Sequence, residues 1–198
     1  MPQKTIYILA GGNDREYIDY AKRLETELNK YITSPKILSC FFASPDSEWN
    51  NQYLKWREWF NLNLSHEFSF EYAKKEAFLE QIDASDVVYL HGGITKLLLS
   101  NVPDADTLKD YFRGKIVIAS SAGANTLARN YWSSTYAEPG HGLGIVDINV
   151  MVHYGAINHE GRKRTMNDWQ KEEALFSKYV QGEKITYLPE GEFTVIKT

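Results

Sequence analysis

Four short apolar runs constrain this chain more than anything else in it: TIYIL at residues 5–9, KILSCFF at 36–42, VVYL at 87–90 and IVIA at 116–119. None of them alternates strictly between apolar and polar residues. A strand with one wet face must alternate, so continuous apolar runs read as strands covered on both faces, the setting of a parallel sheet. Helix-like stretches separate the runs. Residues 14–31 place Tyr17, Ala21, Leu24 and Leu28 three and four apart, and residues 68–82 carry a similar stripe with Tyr72, Phe78 and Ile82. Strands alternating with helices imply right-handed crossovers, which predicts an α/β fold, a doubly wound and mostly parallel sheet with helices on both faces.

After residue 119 the pattern predicts a helix over 122–130 and an irregular stretch rich in Gly, Ser and Tyr. A strand over 148–152, a helix over 162–179 and two strands at 185–188 and 192–196 follow, the last two read as a hairpin bent at residues 189–191. The length, 198 residues, fits one domain spanning 1–198. Residues 44–64 hold three of the five tryptophans and are expected to cover a sheet edge by ordinary aromatic packing, not to form a substrate wall.

Charge narrows the partners. With 22 basic and 26 acidic residues the net charge is -4, which gives no general attraction for nucleic acid or an anionic membrane. No apolar run reaches the roughly 18–20 residues of a membrane span, and the first residues read as a strand entering a turn and not as a signal peptide. A cytoplasmic protein is expected. Cys40 has no cysteine to pair with and sits in ILSCFF, where it reads as a small buried hydrophobe.

Ligands of α/β sheets bind beyond the carboxyl ends of the strands, and three of those ends are built of small residues: AGGN at 10–13, HGGIT at 91–95 and ASSAGA at 119–124. The last is close to the nucleophile elbow GxSxG, a tight strand-to-helix turn that lifts a hydroxyl clear of the sheet, with Ser121 at its centre and Ala119 where the first glycine would stand. On its residues alone it is equally a turn that lets a helix pack on a sheet. The N–H groups of Gly93 and Ala122 are candidates for an oxyanion hole, while HGGIT reads equally as a tight strand-to-helix turn or a phosphate cradle at a helix N-terminus. Neither glycine pair extends to a nucleotide-binding fingerprint.

A serine nucleophile needs a base, and there are five histidines. His66 reads as a helix-terminus or surface residue, His91 as a pocket-lining or structural one, and His141 as exposed. His153 directly follows the run INVMV and so belongs at the same carboxyl edge as Ser121; His159 is the reserve. The carboxylate that would orient the histidine has two candidates, Glu138 and Glu190, which spacing does not separate.

HGGIT, SSAGAN, INVMVHYG and LPEGEFTVI occur in the order seen in the peptidase E family, α-aspartyl dipeptidases related to cyanophycinase, and the chain resembles that family from about residue 87 onward. The resemblance implies a fold like the class I glutamine amidotransferases, in the flavodoxin-like manner, and a serine peptidase that cleaves small peptides such as Asp-X dipeptides. It implies Ser121 as nucleophile, His153 as general base, Glu190 as the acidic member with Glu138 as alternative, and Gly93 and Ala122 as oxyanion donors. Arg162, Arg164 and His159 form the implied substrate-binding group, and no cofactor or metal is expected. An esterase or amidase using the same residues, and a non-catalytic binding protein on the same fold, are the alternatives; a homodimer is compatible with the sequence. Two departures stand out: Ala119 replaces a glycine, and HGGIT replaces GGGNT.

Overall fold

The computed structural model describes residues 4–64, 68–159 and 161–198, apart from the side chain of Ile18. Its centre is a six-stranded sheet. The strands are β1 (Ile6–Ala10), β2 (Lys36–Cys40), β3 (Ser69–Tyr72), β4 (Val87–Leu90) and β5 (Ile116–Ser120), joined at the far end of the chain by β12 (Phe193–Lys197). Their order is β12-β1-β5-β4-β2-β3, and every pairing is parallel except the antiparallel one between β12 and β1. The four apolar runs are therefore β1, β2, β4 and β5, the buried centre of the sheet.

Both faces of that sheet are covered. Ile6, Ile8, Ile37, Val87, Tyr89, Ile116 and Ile118 point into one core with Tyr20, Ala21, Leu24 and Leu28 of α1 (Ile18–Leu28) and Phe60 of α2 (Trp49–Asn63). The alternate residues Tyr7, Leu9, Leu38, Val88, Leu90 and Val117 point into the other. That second core takes in α3 (Phe78–Asp83), α4 (Thr95–Asn101), α5 (Ala105–Tyr111) and α6 (Ala122–Leu127) through Phe78, Ile82, Leu98, Leu108, Ala124 and Leu127. Continuous apolar sequence thus reports burial on both sides, as a parallel sheet demands.

Beyond α6 lies a second sheet of four strands: β6 (Ala128–Ser133), β7 (Glu138–His141), β8 (Val146–Val152) and β11 (Ile185–Leu188), in the order β11-β8-β6-β7. Val146, Val150, Val152 and Leu188 join the core shared with α6. Trp132 and Met151 pack instead on Trp169 and Phe176 of α7 (Met166–Tyr179). A two-stranded ribbon, β9 (Asn158–His159) with β10 (Arg162–Lys163), precedes α7. Helix α7 begins with a capping box in which Thr165 and Asp168 satisfy each other's backbone N–H groups.

Four expectations need correction. Residues 69–72 form the edge strand β3 and not the start of a helix, because F-S-F-E-Y alternates with the period of a strand. The helix after Ser121 ends at Leu127, and the stretch read as irregular contains β6 and β7. Residues 162–163 belong to β10, so α7 starts only at Met166. The two last strands form, yet not as a hairpin: β11 pairs in parallel with β8, while β12 crosses to the other sheet and pairs with β1. Among the described residues no helix is long and apolar enough to cross a membrane.

Candidate active site

The ends of β1, β4, β5 and β8 converge on one cleft of ≈ 1240 Å³, bounded by residues that include Asn13, Gly93, Ser121 and His153. Ser121 follows β5 and opens α6 with φ 49° and ψ -107°, a backbone state that L-residues adopt only under constraint from their surroundings. His153 follows β8 with φ 56°, and Asn13 follows β1 with φ 52°. All three side chains are turned toward the cleft by a left-handed residue at the end of a strand.

The Ser121 hydroxyl lies 2.7 Å from His153 Nε2, and His153 Nδ1 lies 2.9 Å from Glu190 Oε1. An ionised carboxylate only accepts, so the proton sits on Nδ1 and leaves the Nε2 lone pair to accept from the serine. The chain of donors and acceptors is complete from hydroxyl to carboxylate. The imidazole is closely seated: a Cβ on Gly12, which has φ +104°, would fall 2.2 Å from its Cε1. His153 N–H also donates to the carbonyl of Gly11.

Glu190 follows β11, next to β8, and its side chain is 11% exposed. Asn13 Nδ2 donates to the same oxygen at 2.7 Å, and His159 Nδ1 stands 3.5 Å away. Burial opposes the charge, but hydrogen bonds from His153, His159 and Asn13 outweigh it and hold the carboxyl well below the usual range. Asn13 had no assigned role in the sequence; its only signal there was its place after a strand, in AGGN.

The HGGIT turn lies against the serine. A Cβ on Gly92 would be 3.2 Å from Ser121 Cβ, and Gly93 has φ +142°, which admits no side chain without strain. Ile94 N–H ties the turn to the carbonyl of Ala43. The N–H of Ala122 opens α6 and so has no intrahelical acceptor. His91 is 1% exposed and stacked between Phe41 and Tyr89, with ring centroids 4.3 and 4.0 Å away. Burial, aided by Arg15, pushes its pKa well below the ordinary histidine value, so it is a neutral wall of the cleft.

The structure does not bring every expected residue together. Glu138 sits at the rim, paired with Lys96 at 3.1 Å, while Glu190 takes the histidine. Arg162 and Arg164 do not line the cleft. Arg164 is buried under α7, where Nε donates to Glu172 at 3.0 Å, Nη2 donates to the carbonyl of Ser134 and the guanidinium lies over Trp169. Arg162 is exposed and reaches the same Glu172 at 3.4 Å. Both precede α7, which starts at Met166. His141 is exposed and bonded to Asn130 and Tyr179, and His66 lies outside the described residues. Trp56 and Trp59 of α2 do line the cleft, against the expectation of plain edge packing, and Arg15 lies 5.1 Å over the Trp56 ring.

A hydroxyl on a strand-to-helix turn, an imidazole accepting from it and a carboxylate behind the imidazole make up the arrangement that serine hydrolases use, on folds otherwise unrelated. The chain belongs to peptidase family S51, whose family model matches residues 6–195. This is the serine-peptidase family of peptidase E and cyanophycinase, so the resemblance carried by HGGIT, SSAGAN and LPEGE holds over nearly the whole chain. No curated protein matches the sequence.

Proposed function

We propose that this protein hydrolyses small peptides in the cytoplasm through an acyl-enzyme, with Ser121 as nucleophile, His153 as general base and then acid, and Glu190 fixing the histidine tautomer. The observation that carries the reading is the unbroken line from Ser121 Oγ through His153 to Glu190, at 2.7 and 2.9 Å. Oγ attacks the peptide carbonyl carbon as its proton passes to His153 Nε2. The N–H groups of Gly93 and Ala122 receive the developing oxyanion, where losing one donor typically costs about 2.7–4 kcal/mol of transition-state stabilisation. His153 then protonates the leaving amine, and the C–N bond breaks. Water attacks the ester with His153 again as base, and the proton returns to Oγ. A buried thiol without a disulfide suits a reducing compartment.

An acidic N-terminal residue on the substrate is the preferred specificity. Arg164 is occupied by Glu172, and Lys96 by Glu138, which leaves Arg15 as the cleft cation that no carboxylate pairs with among the described residues. A panel of Asp-X and Leu-X dipeptides and aryl esters tests this. The expected result is the highest kcat/KM on Asp-X; faster turnover of the esters than of any dipeptide would favour an esterase on the same residues.

A further inference from the structure

Glu190 Oε1 is approached by two imidazoles and not one. His159, carried by β9, stacks on His153 with ring centroids 3.8 Å apart and planes inclined by 28°. Its Nδ1 lies 3.5 Å from the oxygen that His153 Nδ1 contacts at 2.9 Å. One ligand atom from each of His153, His159 and Glu190 falls within 4.8 Å of the others. The three side chains are 4%, 11% and 11% exposed, so the cluster is sheltered yet borders the cleft.

Two imidazoles and a carboxylate are a donor set that zinc takes up readily, with water in the fourth position. Bonds of about 2.0–2.1 Å in a tetrahedron separate neighbouring ligands by about 3.3 Å. The spacings of 2.9 and 3.5 Å to Glu190 bracket that value. Nitrogen donors favour Zn²⁺ and its late first-row neighbours over Mg²⁺ and Ca²⁺, which seek oxygen.

The geometry points to an inhibitory site for a divalent transition-metal ion of the Zn²⁺ class, held by His153 Nδ1, His159 Nδ1 and Glu190. The ion exchanges bound waters for these three ligands, and nothing is oxidised or reduced. The Nδ1 protons of both His153 and His159 are displaced, and each neutral ring carries its single proton on Nε2. In that tautomer His153 presents an N–H to Ser121 where catalysis needs a lone pair. His159 supplies the third ligand that turns a histidine and carboxylate pair into a chelate. The inhibitory consequence rests on the proposed peptidase reading; the binding does not.

The test therefore starts with binding. Full-length Ser121→Ala protein, which keeps all three ligands, is titrated with Co²⁺ as an optical probe and with Zn²⁺ as its competitor. One equivalent giving tetrahedral Co²⁺ bands is expected, with affinity falling by about 100-fold or more in Ser121→Ala/His159→Gln, since even an outer partner of a ligand is worth 10–100-fold. Absence of binding, or binding that His159→Gln and His159→Ala both leave unchanged, overturns the site. With the serine intact, Zn²⁺ is expected to suppress turnover reversibly, a chelator restores it, and His159→Gln raises the inhibitory concentration relative to its own metal-free rate. Metal bound at full stoichiometry without loss of turnover would overturn the inhibitory role. Metal bound by a protein that hydrolyses no peptide would count against the peptidase reading and leave the site standing.

Discussion

Glu190 gathers Asn13, His153 and His159 around a single carboxylate oxygen, and its ionised form is worth more in the folded protein than in the unfolded chain. Its pKa is depressed below the ordinary glutamate value of 4.5, so below that value the unfolded chain binds the proton first. The stabilisation from Glu190 is then fully present above about pH 4.5 and is lost as pH falls toward the folded value. Urea unfolding of wild type and Glu190→Gln should give a stability gap that is constant at neutral pH and narrows below 4.5; a gap that widens on acidification would contradict the assignment. Arg164 is a different case. It was expected to hold substrate, but its side chain is 1% exposed and bound to Glu172. Arg164→Ala should destabilise the fold by about 1.5–3 kcal/mol, the worth of a hydrogen bond to a charged group, because Glu172 loses its buried partner but keeps Trp132 Nε1 and Arg162. Selectivity for Asp-X over Leu-X should stay, whereas Arg15→Ala should reduce it, as measured by the ratio of kcat/KM values. No sequence pattern separates a buried arginine from a binding one when the partner, Glu172, is eight residues away on a helix.

At the scale of elements, the turn from β5 to α6 depends on close approach. A Cβ on Gly123 would stand 2.3 Å from the carbonyl oxygen of Leu90, a clash with backbone that no rotamer relieves. Gly123→Ala should push α6 away from β4, destabilise the protein by about 1–3 kcal/mol as overpacking does, and lower kcat. Wild-type stability and turnover in that variant would sink this account of the elbow. Ala119, by contrast, is fully buried inside β5 opposite Leu9 and Leu90, and Ser121 still takes its strained conformation. The methyl sits in the core, away from the turn. β1, β2, β4 and β5 were legible because their residues are buried on both faces and the sequence records it. β3 was not, because its Phe and Tyr residues fit a helical stripe almost as well as an alternating strand. The separation of β11 from β12 was hidden for another reason: their partners, β8 and β1, are distant in sequence, and a bend at residues 189–191 looks the same whether or not its arms pair.

Across the whole molecule the candidate site bridges two sheets. Ser121 follows β5 of the six-stranded sheet, while His153 and Glu190 follow β8 and β11, parallel neighbours in the four-stranded one with Val152 opposite Leu188. The shared core of Leu127, Val150, Val152 and Leu188 sets how far the hydroxyl stands from the imidazole. Ser121 and His153 were therefore readable as ends of apolar runs, and Glu190 as one of two carboxylates. Their meeting was not readable, since it depends on how the sheets pack. Asn13 and Arg15 had no assigned role for the same reason, and the Trp56 and Trp59 wall was set aside for edge packing because its place beside the cleft depends on how α2 packs. The most direct test of the account is the reaction of the folded protein with a fluorophosphonate, followed by mass mapping of the adduct. One adduct per chain is expected, on Ser121, lost in Ser121→Ala and slowed by about 10⁴-fold or more in His153→Ala, as removal of a catalytic base does. A folded protein that stays unlabelled, or that labels at another residue, would contradict it.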